Sequence, residues 1–394
     1  MSPPSPSASR RVQADLRGFL ICVTLLAVVS GVAGAWAQNR RIAAVSAVLA
    51  AACLLRVVST PPLSTSSPVA AALAGAFVNG LVSGLALVLS LAAAEGAMRW
   101  IYRDVTSTAD FRGYFTRKWL RADVRHNHYG YRGAEFDEAK PHGVFRVAVL
   151  GDSFTYGNGV PEASRYSNLV ADAVRSRGIE VLNFGFPGNN WSEHVQTLEH
   201  RVLRLRPDVV LLQWGSNDIE LDRDVAGRPH VPPLIRRRDW HEWLYERSAL
   251  YTMLNAQWLG VRLRRQMGDT YDQYLTHQYA SPESEGARQA DTLMRRFIAL
   301  CREHGIGVAL VLFPDAAVSL GADYPYRFMH DQVHGICASE RVTCLDLLPT
   351  LAAEPDRYRL WVTPLDSHPS VLANQIAADR ILETLAPAWG RQTP

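Results

Sequence analysis

Between Gly18 and Ala94 the chain carries only three side chains of Asp, Glu, Lys or Arg type: Arg40, Arg41 and Arg56. Three apolar runs lie inside this stretch, Gly18 to Ala37, Ile42 to Leu55 and Val69 to Ala94. The first and third reach the roughly 20 helical residues that a bilayer core requires. The middle run is shorter, but Val57 and Val58 extend it past Arg56, whose long stem can snorkel to an interface. A cleaved signal peptide is the competing reading of the first run, with Arg10, Arg11 and Arg17 as its charged start and Ala35-Trp36-Ala37 as a cleavage-like site. The length of the run and the apolar segments behind it favour an uncleaved anchor of two or three helices.

This division explains an otherwise ordinary composition. The mean hydropathy of -0.06 averages an apolar region before Glu95 with a polar region after it. Lys and Arg total 41 against 38 Asp and Glu, a net charge of +3, which together with a membrane anchor argues against a nucleic-acid partner. Five cysteines are too few for a disulfide-built scaffold. Cys22 and Cys53 read as small apolar residues of the spans. Cys337 and Cys344 are close enough for a short-loop disulfide outside the cytoplasm, leaving Cys301 buried; three buried thiols are an equal alternative. The arginines before the first run hold the N-terminus inside, so three spans place the rest of the chain outside the cytoplasm. Arg99 and Arg103 argue the other way, and two spans would return it. The expected organisation is a disordered tail over 1–17, transmembrane helices over 18–98, a connecting collar over 99–142, and a globular domain over 143–394 with a helical insertion at about 219–285.

In the globular part, short apolar runs alternate with amphipathic stretches. Phe145 to Leu150, Glu180 to Phe184, Asp208 to Trp214, Gly307 to Phe313 and Val342 to Leu347 read as buried strands. Ala163 to Ser176, Trp191 to Leu205, Ala287 to Glu303, Tyr326 to Ser339 and Val371 to Leu385 carry helical spacing. Alternation of this kind predicts an α/β fold with a five-stranded parallel sheet covered on both faces, and ligands bind beyond the carboxyl ends of such strands. Four polar blocks fall there: Gly151-Asp152-Ser153-Phe154, the Gly- and Asn-rich loop from Asn183 to Asn190, Gly215-Ser216-Asn217-Asp218, and Asp366-Ser367-His368-Pro369.

Those blocks, in that order, resemble the SGNH hydrolases, the GDSL-type lipase and esterase superfamily, over roughly Phe145 to Leu385. The resemblance implies a flavodoxin-like three-layer domain and a serine nucleophile. Ser153 matches the nucleophile, His368 the base and Asp366 its orienting acid. Gly188 and Asn217, with the N–H of Ser153, match the oxyanion hole. Most family members space the pair Asp-x-x-His, whereas Leu365 stands at that position here and the pair is Asp-x-His. That spacing is similar to the alginate O-acetyltransferase branch, which leaves the acyl acceptor open.

Serine needs a neighbouring base to become a nucleophile, and histidine serves near neutral pH when a carboxylate orients it. The expected activity is ester hydrolysis, with an envelope glycan or lipid carrying the acyl group, acetyl foremost, as substrate. The alternative is O-acyl transfer to a polysaccharide hydroxyl from the same Ser153 acyl-enzyme, with a membrane protein as acyl donor. A carbohydrate-binding scaffold without turnover is a third reading. No cofactor is called for, and His126, His128, His194 and His200 lack partners at metal-ligand spacing. The aromatics and arginines of the insertion, among them Trp240, Trp243 and Trp258, read either as a lid or sugar platform or as a solvated cap touching lipid headgroups.

Overall fold

The computed structural model describes residues 68–103, 113–220, 233–267, 281, 283–363 and 366–390. The tail, the first two apolar runs, Cys22 and Cys53 lie outside the described residues, as do parts of the insertion. The chain divides into two compact units, Met1–Asp104 and Val105–Pro394.

In the first unit, one helix, α1 (Pro68–Ile101), runs 34 residues. Its segment Val82–Ile101 is long and apolar enough to cross a membrane by length and composition. Leu85, Val88 and Leu89 are at least 60% exposed, so among the described residues no neighbour covers their apolar surface.

The second unit is built on a five-stranded parallel sheet of β1 (Phe145–Gly151), β2 (Ile179–Gly185), β3 (Val209–Trp214), β4 (Gly307–Leu312) and β5 (Thr343–Asp346), in the order β2-β1-β3-β4-β5. The strands read as almost unbroken apolar runs because helices cover both of their faces. Val147, Ala148, Leu150, Val210, Leu212 and Leu310 are fully buried. The flanking helices α2 (Tyr166–Val174), α3 (Trp191–Thr197) and α6 (Val371–Thr384) fall within helical stretches expected from spacing, while α4 (Glu285–Glu303) starts two residues before its expected stretch and α5 (Arg327–Glu340) ends one residue after it. Helix α3 is shorter than expected. A π turn over Leu198–Val202 and a 3-10 turn over Leu203–Leu205 continue it, which keeps Leu198, Val202 and Leu205 all buried.

Strand β1 connects to β2 on one side and β3 lies on its other side, so the chain direction across the sheet reverses at β1. A crevice opens at such a reversal, beyond the carboxyl ends of the strands. Ser153 follows β1 immediately. A two-stranded antiparallel ribbon not anticipated from the sequence, β6 (Trp361–Thr363) with β7 (Asp366–Pro369), carries the Asp-Ser-His-Pro block. Cys337 and Cys344 are joined in a disulfide with Cα atoms 6.2 Å apart, and Cys301 is a buried free thiol that burial pushes up to about 12.

Candidate active site

The turn carrying Ser153 is set by what lies beneath it. Asp152 caps the short helix Ser153–Tyr156, its carboxylate accepting the Phe154 N–H at 2.8 Å. Gly157 closes the helix in the left-handed conformation, φ 76°. Gly185 at the end of β2 lets this turn approach closely: a Cβ there would lie 2.3 Å from the Tyr156 nitrogen and 2.5 Å from the Thr155 carbonyl carbon. From above, buried Arg132 donates to the carbonyls of Tyr156, Gly157, Val160 and Asp123. Its guanidinium also stacks 4.9 Å from the Trp119 ring centroid. In sequence the Asn127–Arg132 segment reads either as a turn packing beside the active site or as simple turn structure; it braces the nucleophile-bearing segment through one arginine.

The structure brings Ser153, His368 and Asp366 into one line. The Ser153 hydroxyl lies 2.9 Å from His368 Nε2, and His368 Nδ1 lies 2.5 Å from Asp366 Oδ1. The same carboxylate oxygen accepts the backbone N–H of His368 at 3.2 Å. That double acceptance explains why one intervening residue suffices: the ribbon backbone turns the ring onto its own carboxylate. Asp366 is nearly inaccessible, with 1% of its side chain exposed, while His368 keeps 24% of its side chain open. Phe154 packs its ring edge-on to the imidazole, centroids 5.7 Å apart. Asn158 Nδ2 sits 3.3 Å from His368 Nε2, a neighbour no motif announced.

Burial lowers the pKa of His368, but Asp366, by its charge and hydrogen bond, raises it more, and Asp152 and Asp315 add to the rise. The imidazole is therefore held above its ordinary value.

Gly188 and Asn217 lie in the loops after β2 and β3, the two strands flanking β1. Gly188 adopts φ 85°, a conformation that suits glycine. Beneath the Asn217 turn is a buried polar layer. Asp218 accepts the Gly215 N–H at 2.9 Å and meets His194 Nε2 at 3.0 Å. Gln213 accepts the Asp152 N–H and the Thr155 hydroxyl, each at 3.0 Å. Burial pushes the Asp152 carboxyl up to about 6, and the charge of Asp218 adds to the rise. His194, which has no partner nearby in sequence, thus supports the third loop.

Residues 149–376 match the family model of the GDSL-like Lipase/Acylhydrolase family. Among curated proteins, the uncharacterized protein YpmR of Bacillus subtilis is 29% identical over 103 residues, 24% of this chain. The chain spans 40% of the length of that relative. Among solved structures, the chain is similar to a lipase/acylhydrolase from Enterococcus faecalis, 15% identical, with 64% of this chain and 100% of that one covered at a TM-score of 0.39. An acetyl xylan esterase is 18% identical, with 61% of this chain and 100% of that one covered, also at a TM-score of 0.39.

Proposed function

Because the chain belongs to the GDSL-like lipase/acylhydrolase family, and is thereby an enzyme acting on ester bonds, we propose that it is a membrane-anchored serine hydrolase that removes acyl groups, acetyl foremost, from an envelope glycan or lipid. The observation that carries this reading is the continuous hydrogen-bonded line from the Ser153 hydroxyl through His368 to Asp366.

In this mechanism His368 Nε2 takes the Ser153 proton as the hydroxyl oxygen attacks the ester carbonyl. Asp366 holds the ring with Nδ1–H toward its carboxylate and stabilises the imidazolium that forms. The N–H groups of Ser153 and Gly188 and the Asn217 amide receive the developing oxyanion. His368 then protonates the departing alkoxide, leaving Ser153 acylated. A water deprotonated by His368 attacks the acyl carbonyl, and the proton returns to Ser153. Loss of one oxyanion donor typically costs about 3 kcal/mol, so Asn217→Ala is expected to lower kcat by about two to three decades with little change in KM. Near-wild-type turnover in steady-state assays would remove Asn217 from this role.

The anchor reading rests on the apolar Val82–Ile101 segment of α1. The Cys337–Cys344 disulfide favours the extracytoplasmic side, since such bonds persist in oxidising compartments. O-acyl transfer is the second reading, favoured by the Asp-x-His spacing. The two separate on the fate of the acyl group. With p-nitrophenyl acetate as donor and an acetyl-free oligosaccharide present, hydrolysis predicts free acetate as the main product. Acetylated sugar as the main product, detected by mass spectrometry, would select transfer.

A further inference from the structure

The described part of the insertion forms two helices, α7 (Arg238–Arg247) and α8 (Ala249–Met267), by chain order between β3 and α4. Their inner side is well made. Ala249, Tyr251, Thr252 and Asn255 are buried; Tyr251 and Asn255 accept the N–H groups of Ile235 and Leu234, and Thr252 donates to the Tyr245 carbonyl. The outer side departs from ordinary protein surface. Trp240 and Trp243, one turn apart on α7, are 55% and 53% exposed. On α8, Leu254, Trp258 and Val261 follow at helical spacing, 51%, 37% and 38% exposed, and exposed Arg265 continues the stripe. Arg247 and Arg262 lie over the rings of Trp243 and Trp258.

Charge concentrates on the same segment. Residues 233–267 hold seven arginines against three acidic residues, a greater net positive charge than the +3 of the whole chain. Two further observations concern position. The pair packs on the helix Tyr114–Asp123, through the Tyr114 N–H to Thr252 and the Arg117–Glu246 ion pair. Only twelve residues of chain separate Ile101, the end of the apolar helix, from Tyr114.

We propose that α7 and α8 form an interfacial docking surface for an anionic lipid bilayer. Exposed tryptophans favour the headgroup level, where an indole finds both apolar and polar surroundings, and arginines meet lipid phosphates there. The positive excess selects anionic over zwitterionic headgroups. This rests on the anchor reading for the proximity of a bilayer, and it turns the aromatic insertion into a device that holds the catalytic unit against the membrane surface.

The full chain carries the test, reconstituted in liposomes with an environment-sensitive fluorophore on Gln257→Cys, beside Trp258, and the unlabelled-site parent as background. A second sample carries the label on Asp172→Cys, an exposed position on α2. In phosphatidylglycerol-containing liposomes the Gln257 label should shift to the blue, at least twofold more than in phosphatidylcholine alone, while the Asp172 label stays unchanged. The triple variant W240A/W243A/W258A should lose most of the shift yet keep its p-nitrophenyl acetate turnover, which reports a folded domain. Equal emission at both sites, indifference to headgroup charge, or an unaltered shift in the triple variant would overturn the proposal. Flotation at high salt reports on the anchor separately: a chain that stops floating contradicts the anchor, and the low-salt emission still judges the docking surface.

Discussion

Replacing Ser153 with alanine is expected to abolish p-nitrophenyl acetate turnover, lowering kcat by at least about four decades, without unfolding the chain. The substitution removes the attacking oxygen and nothing that holds the turn. Asp152 still caps it, Gly185 still admits it, and Arg132 still binds its last carbonyls. The Ser153 N–H also remains, so binding and oxyanion stabilisation persist and KM should move little. A rate equal to wild type, with an unchanged thermal transition, would end every enzymatic reading built on this serine.

Asp366→Asn has the next largest expected effect, a loss of roughly three to four decades in kcat. The amide keeps the volume but presents an N–H where His368 Nδ1 needs an acceptor, and it cannot stabilise the imidazolium. The pH profile supplies a signature that misfolding would not. His368 must be neutral to accept the serine proton, so kcat/KM falls as pH drops through its pKa. Burial lowers that pKa, and Asp366 overcomes the burial and holds it above the ordinary 6.5. The acid limb of the wild type should therefore lie above that value. Without the carboxylate, burial dominates and the limb moves to lower pH. A limb that stays in place would mean that Asp366 does not partner the base.

Strand and helix alternation, and hence the parallel sheet, were legible because strands buried on both faces leave uninterrupted apolar runs such as Val147 to Leu150. The polar blocks were legible too, since Gly, Asp, Ser, Asn and His stand out at strand ends. Their mutual geometry was not. The ribbon β6–β7 is too short and polar to show a period, yet it aims His368. His194 and Asp218 are 24 residues apart and meet only in the fold, where the His194 side chain on α3 reaches the turn after β3. The Asn127–Arg132 segment could be read as packing beside the active site, but nothing marked Arg132 itself as the brace, because an arginine before a glycine in a turn ordinarily reads as solvated surface. Its contacts are backbone carbonyls, which leave no mark on sequence. The exposed face of α7 and α8 was ambiguous for the opposite reason: its tryptophans and arginines fit a sugar platform and a lipid surface equally well.

The central claim is that an acyl group passes through the Ser153 oxygen, and the most direct measurement is to trap it. Wild-type chain mixed with p-nitrophenyl acetate, quenched in acid during turnover and mapped by peptide mass spectrometry, should carry one acetyl group on Ser153. The Ser153→Ala chain should carry none at that position. Acetyl on a different residue in the wild type, or sustained turnover by the alanine variant, would contradict the account.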